Sequence, residues 1–223
     1  MVTVPSGIDL YLYIVRVLIT GLETTIVVTL GSLALSMVVA GLFAGCHRFG
    51  GRFTRVLVQS YVEFFRAVPV LTQLFIIYFG LATVGIRLNS ISAAILGLGI
   101  NGSAYCTEIF RAGVDAIPRG QTEAAYAVGL SSRQVFRLII LPQAVRLVLP
   151  PLTNFTVQLL KNTSVASAVA APEVMLLAHN LVNETFHSPE IYICVCLVYL
   201  CISLPMMRFA WWLELRLGAT GTR

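Results

Sequence analysis

Apolar residues in this chain neither alternate nor recur once per helical turn; they run on. Five stretches are long enough for the roughly 20 residues that a helix needs to cross a bilayer: Thr24 to Cys46, Val56 to Ala82, Ile91 to Phe110, Leu147 to Ala171 and Ile191 to Met207. The first and last hold no charged residue, and the others hold only Glu63 with Arg66, Glu108, and Lys161. A shorter stretch, Leu10 to Leu22, contains Arg16 and reads as an interfacial helix leading into the first crossing. The pattern therefore predicts an all-helical integral membrane protein with five crossings.

Composition agrees, with 57% hydrophobic and 11% charged residues against roughly 25% charged in soluble domains. The net charge of +5 follows topology and does not gather on one face as in a nucleic-acid-binding domain. Arg48, Arg52, Arg55 and Arg66 lie in or beside the first connection, Arg111, Arg119, Arg133, Arg137 and Arg146 around the third, and Arg208, Arg216 and Arg223 at the tail. Arg16 and Arg87 fall on the opposite side. By the positive-inside rule the larger group is cytoplasmic, which puts the amino terminus outside and the carboxyl terminus inside. The five cysteines lie in or at the ends of the runs and form no external disulfide framework. No cleavable signal or internal repeat is visible, so the chain divides into a segment 1–19, a membrane domain 20–210 and a tail 211–223.

One stretch breaks the apolar pattern: "EAAYAVGLSSRQVFRLIILP", Glu123 to Pro142. Its first part is rich in helix formers, and Gly129 stands where a helix end takes a left-handed residue. Ser131 and Gln134 have the spacing of a capping box, and Pro142 is expected to end the second helix. That helix is amphipathic, with Val135, Leu138 and Ile139 on one side and Arg133 and Arg137 on another.

The spacing of Glu123, Ala124, Ala125, Gly129, Ile139, Leu141 and Pro142 resembles the EAA loop of the membrane subunits of ATP-binding-cassette importers. "YVEFFRAVPVLTQLFIIYFG", "AYCTEIFRAGVDAIPRGQTEAA" and "LPQAVRLVLPPLTNFTVQLLKNTSVAS" extend the likeness, over Thr20 to Met207, to the permeases for polar amino acids. The resemblance implies a type I importer permease fold in the bacterial cytoplasmic membrane, and those seven residues as the contact with a separate ATPase. It further implies two ATPase subunits carrying the ATP and Mg, a second permease subunit, identical or homologous, and an external solute-binding protein. The chain itself would bind no cofactor and catalyse no covalent step. In keeping with this, it has no GxxxxGK[ST] phosphate loop, and His47, His179 and His187 are scattered without metal-ligand spacing. The competing class is an ion-coupled secondary transporter or channel, which commonly shows repeated halves and matching broken helices; neither is visible.

Polar residues within apolar runs cost energy in lipid and so face protein or water. Asn154, Gln158 and Lys161 share one helical face, flanked by Asn162 and Thr163; Asn101, Tyr105 and Glu108 repeat the spacing on the preceding run. These eight residues are the candidate substrate path, or else interhelical glue. Lys161 needs an anion, either Glu108 or a substrate carboxylate, while Glu108 could instead pair with Arg111. Pro69 is expected to kink the second run, with Glu63 and Arg66 neutralising each other as architecture.

Overall fold

The computed structural model describes residues 7–217; the first six and last six residues of the terminal segments lie outside it. Every element among the described residues is helical. Two helices, α1 (Ile8–Thr20) and α2 (Leu22–Phe49), join at Gly21, whose backbone is itself helical (φ −75°, ψ −13°). They form one apolar rod, Ile8–Phe49, of 42 residues. The helix expected at the interface is thus continuous with the first crossing. It is held there because Leu10, Ile14 and Leu18, one turn apart, are buried against the carboxyl-terminal helices. At Gly21 the chain passes so close to the Glu173–Val174 backbone that a Cβ would stand 2.7 Å from the Val174 amide nitrogen.

Next come α3 (Arg52–Ala67) and α4 (Val70–Thr83), bent by 102° to one another. Asn89 caps α5 (Ser90–Asp115), its side chain accepting from the Ser92 N–H at 2.7 Å. This helix packs most closely on α2 through small residues that let the backbones approach. There Ser36 donates to the Gly99 carbonyl at 2.9 Å and Ser32 to that of Ile95 at 3.4 Å. A short α6 (Arg119–Ala127) leads into the long α7 (Ser132–Val169), followed by α8 (Val174–Thr185) and α9 (Ser188–Leu217). Residues 211–217, assigned to the tail, continue α9 as helix.

By length and apolarity three helices among the described residues can cross a membrane, Ile8–Phe49, Ser132–Val169 and Ser188–Leu217, and a fourth crossing is available if the bent α3–α4 pair counts as one. α5 has the length but not the apolarity. Ala93, Ala94, Leu98, Ser103, Ala104 and Thr107 are all buried, so much of its surface meets protein, and small and polar side chains cost little there.

Pro142 does not end its helix. Val135–Ile140 forms a π turn that runs straight into Leu141–Asn162. The widened turn accommodates the missing N–H, and Gln143 Nε2 donates to the Ile139 carbonyl at 2.9 Å. A π turn repeats every five residues rather than four. It therefore buries Val135 and Ile140 together and turns Leu138, expected on the apolar side, 58% out to solvent or lipid.

Candidate functional site: a cavity at a broken helix

The break between α3 and α4 starts from Pro69, which disfavours helical backbone at the residue before it. Val68 is extended (φ −86°, ψ 133°), and Pro69 follows at ψ 134°. Carbonyls at the end of α3 lose their helical donors and would be orphaned in the protein interior. Two amides take them: Gln73 Nε2 donates to Phe65 O at 2.9 Å and Val68 O at 2.8 Å, and Asn101 Nδ2 to Phe65 O at 2.8 Å. Asn101 thus ties α5 to the break.

Beside the break lies a cavity of about 210 Å³ that brings together Asn101 and Tyr105 of α5, Gln158 and Asn162 of α7, and Arg66 at the end of α3. Phe155 stacks on Tyr105, with ring centroids 6.0 Å apart, and the Arg66 guanidinium lies 5.4 Å from the Tyr105 centroid. Arg66 is the charged residue of this lining. The chamber is therefore cationic, walled by amides and a phenol that can donate or accept.

Half of the eight candidate path residues converge there; the other half do not. Asn154 and Lys161 are exposed on the same side of α7 as Gln158. Thr163 is buried and donates to the Leu160 carbonyl at 2.7 Å. Glu108 pairs with Arg111 at 2.6 Å, one turn away. Among the described residues Lys161 forms no ion pair, so Glu108 is not its partner. Arg66 and Glu63 do not neutralise each other either: Glu63 accepts from Gln59 Nε2 at 3.1 Å, and Arg66 turns to Tyr105. Glu63, Glu108, Arg66 and Arg111 line a second cavity of about 180 Å³, so that Arg66 borders both. The sequence pattern marks Arg66 only as architecture and does not single out Gln73. Their signal was adjacency to Pro69, since a proline inside an apolar run frees carbonyls and opens space.

The interruption between α5 and α7 forms as its local signals require. Gly129 sits at φ +83°. Gln134 Oε1 accepts from the Ser131 N–H at 2.9 Å and from its hydroxyl at 2.8 Å. Ala125 is buried with Ile117, Val135, Ile140 and Ala144 in a small core that the half-buried Ile139 joins. Glu123, Ala124, Gly129, Leu141 and Pro142 are exposed. Of the seven loop positions, then, Ala125 and Ile139 hold the fold, and the other five form an accessible surface.

Outside the cavity lining, Glu173 is buried at the start of α8. Its carboxylate accepts from the N–H groups of Met175 (2.8 Å) and Leu176 (2.9 Å) and from the Tyr199 hydroxyl (3.2 Å). Burial pushes its carboxyl up to about 7 against the pull of these donors.

Residues 37–219 match the family described as "Binding-protein-dependent transport system inner membrane component". The chain belongs to that family. It is a membrane permease component of a transport system, and ATP hydrolysis belongs to separate subunits. The chain is 35% identical over 197 residues to the protein named "Probable amino-acid ABC transporter permease protein YckA" of Bacillus subtilis (strain 168), covering 88% of this chain and 85% of that one. With the "Probable amino-acid ABC transporter permease protein PatM" of Vibrio harveyi it shares 32% identity over 215 residues, 95% and 96% of the two chains. The crystal structure of an amino acid ABC transporter with histidines superposes with a TM-score of 0.90, at 28% identity, over 96% of this chain and 100% of that one. The match to the transport family spans both the broken helix and the exposed loop, and it sets aside the ion-coupled alternative.

Proposed function

We propose that this permease carries an amino acid across the bacterial cytoplasmic membrane, with the cavity at the α3–α4 break as its half of the passage. The observation that carries the reading is the single guanidinium, Arg66, set among Asn101, Tyr105, Gln158 and Asn162. A lone cation in an amide-lined chamber suits a substrate carboxylate, because arginine's planar fork pairs with carboxylates bidentately. The amides and phenol then serve the rest of the molecule.

In this reading the chain crosses five times, α5 being the shielded central crossing, with the amino terminus outside and the carboxyl terminus in the cytoplasm. The exposed side of α7 bearing Asn154, Gln158 and Lys161 faces the seam with a second permease subunit. Lys161 there meets the passing carboxylate and not Glu108. Glu123, Ala124, Gly129, Leu141 and Pro142 dock on one of two ATPase subunits that bind the ATP and Mg, and an external solute-binding protein delivers the substrate. The unbroken α7 supports this coupling role, since one helix joins the loop to Gln158 and Lys161.

Uptake of labelled amino acids by cells with the complete transporter tests the carboxylate site. Arg66→Gln should cut uptake roughly tenfold or more, since a charge-assisted hydrogen bond contributes about 1.5–3 kcal/mol, while membrane levels and ATPase association stay normal. Undiminished uptake by that variant would refute the assignment.

A further inference from the structure

We propose that an apolar furrow between α2 and α7 is a binding site for an anionic phospholipid of the cytoplasmic leaflet. Met37, Gly41 and Gly45 of α2 face Val145, Val148 and Leu152 of α7 across a cavity of about 470 Å³. At Leu152 it continues into a second apolar cavity of about 450 Å³, between Leu33, Thr156, Pro205 and Phe209. Gly41 and Gly45 border open space: a Cβ at either would meet nothing within 4 Å.

The mouth has a different chemistry. His47, Arg48 and Arg111 stand there, with Asp115 as the acid among them. Arg111 is already held by Glu108, whereas Arg48 forms no ion pair among the described residues. Arg52 and Arg55 lie on the next turn of chain, and Arg55 Nε donates to the His47 carbonyl at 3.1 Å. An apolar trench that runs from the middle of a crossing to its basic end has the polarity of one phospholipid, acyl chains along the helices and phosphate at the arginines. Basic groups at this level attract anionic headgroups.

Occupancy would bear on coupling, because α7 is one wall of the furrow. Phe136 in the π turn packs edge-on against Phe49 of α2, with centroids 5.3 Å apart, and both line the same cavity. A lipid seated there would brace the exposed loop against α2. This inference rests on membrane insertion with the loop on the cytoplasmic side; it is independent of the substrate.

A helix from a second copy is the other occupant that a Gly-xxx-Gly face could take, and one experiment separates the two. The purified transporter, permease with its ATPase, is mixed with equal amounts of phosphatidylglycerol and phosphatidylcholine and weighed by native mass spectrometry. Phosphatidylglycerol should be retained about fivefold over phosphatidylcholine, the discrimination expected of one basic side chain. Arg48→Gln should erase that preference. Gly41→Leu, which fills the trench, should lower retention of both lipids several-fold without changing the mass of the assembly. Equal retention of the two lipids by the unaltered protein, or full retention by the Gly41→Leu transporter, would overturn the proposal. Dissociation of the Gly41→Leu assembly would overturn it in favour of a second copy's helix.

Discussion

Two proline-bearing regions meet opposite fates. At Pro69 the helix breaks through 102° between α3 and α4, whereas α7 carries Pro142, Pro150 and Pro151 and still runs as one helical segment of 38 residues. A proline removes one donor and crowds one carbonyl in either place. The outcome depends on what the neighbours offer to the freed carbonyls. Beside Pro69, Gln73 and Asn101 reach in from outside the ladder and stabilise the open end. Along α7, among the described residues, no side chain from another element reaches a backbone carbonyl; Gln143 donates to Ile139 O and Thr153 to Leu149 O at 2.8 Å, each one turn back on the same helix, and the ladder stays closed around its prolines. The first solution makes a cavity, and the second makes a rod that can transmit movement.

The sharpest way to break this contrast is to strip the open end of its caps. Gln73→Leu should strip the Val68 carbonyl of its side-chain donor and leave the Phe65 carbonyl to Asn101 alone, destabilising the protein by about 2–3 kcal/mol, at roughly 1–3 kcal/mol per unsatisfied group. Thermal unfolding of the detergent-purified protein measures it. A comparable loss from Gln143→Leu would erase the distinction between the two regions, because α7 should tolerate that change within about 1 kcal/mol.

The carboxyl-terminal end of the rod, Val169, lies four residues before Glu173. Folding raises its pKa from 4.5 to about 7, so between those values the folded protein binds more protons than the unfolded one. Stability should therefore be fullest below pH 4.5 and fall as pH rises through 7, by an amount on the order of 2 kcal/mol. Glu173→Gln should flatten that dependence. A variant that still loses stability between pH 5 and 8 as the parent does would assign the effect elsewhere.

At the other end, Gly129→Val places a β-branched residue at φ +83° and costs more than about 1 kcal/mol. Membrane insertion should persist while transport is lost and the ATPase washes off more easily; normal uptake would sever the loop from coupling. The smallest stability effect is expected at Lys161, which is exposed and unpaired among the described residues. Lys161→Met should leave expression and the melting temperature unchanged, within about 0.5 kcal/mol, while uptake falls sharply. A destabilised variant rescued by Glu108→Gln would restore the buried pair that the structure does not form.

Much of the exposed loop was readable because its signals are local. Gly129 needed only the left-handed preference of glycine, and Ser131 with Gln134 needed only the three-residue spacing of a capping box. Leu138 and Pro142 were misplaced because an α-helical period was assumed, and a single π turn shifts every later side chain by one position. Among the candidate path residues, Asn101, Tyr105 and Gln158 lie on two polar helical faces and Asn162 flanks one of them, and the cavity holds all four. Asn154, Lys161 and Glu108 share those faces and Thr163 flanks one, and they are divided by which neighbour each meets.

Long apolar runs by themselves determine that this chain is helical and belongs in a membrane, because backbone groups in hydrocarbon must be satisfied within their own segment. The arrangement of arginines adds an expected orientation, and the loop pattern carries the resemblance to importer permeases. Only the packed structure decides that Pro69 opens a chamber while Pro142 does not, that Arg66 leaves Glu63 for Tyr105, and that Glu108 takes Arg111. Each of these choices sets a local partner against one brought in by another helix, and their relative distances exist only once the helices have packed.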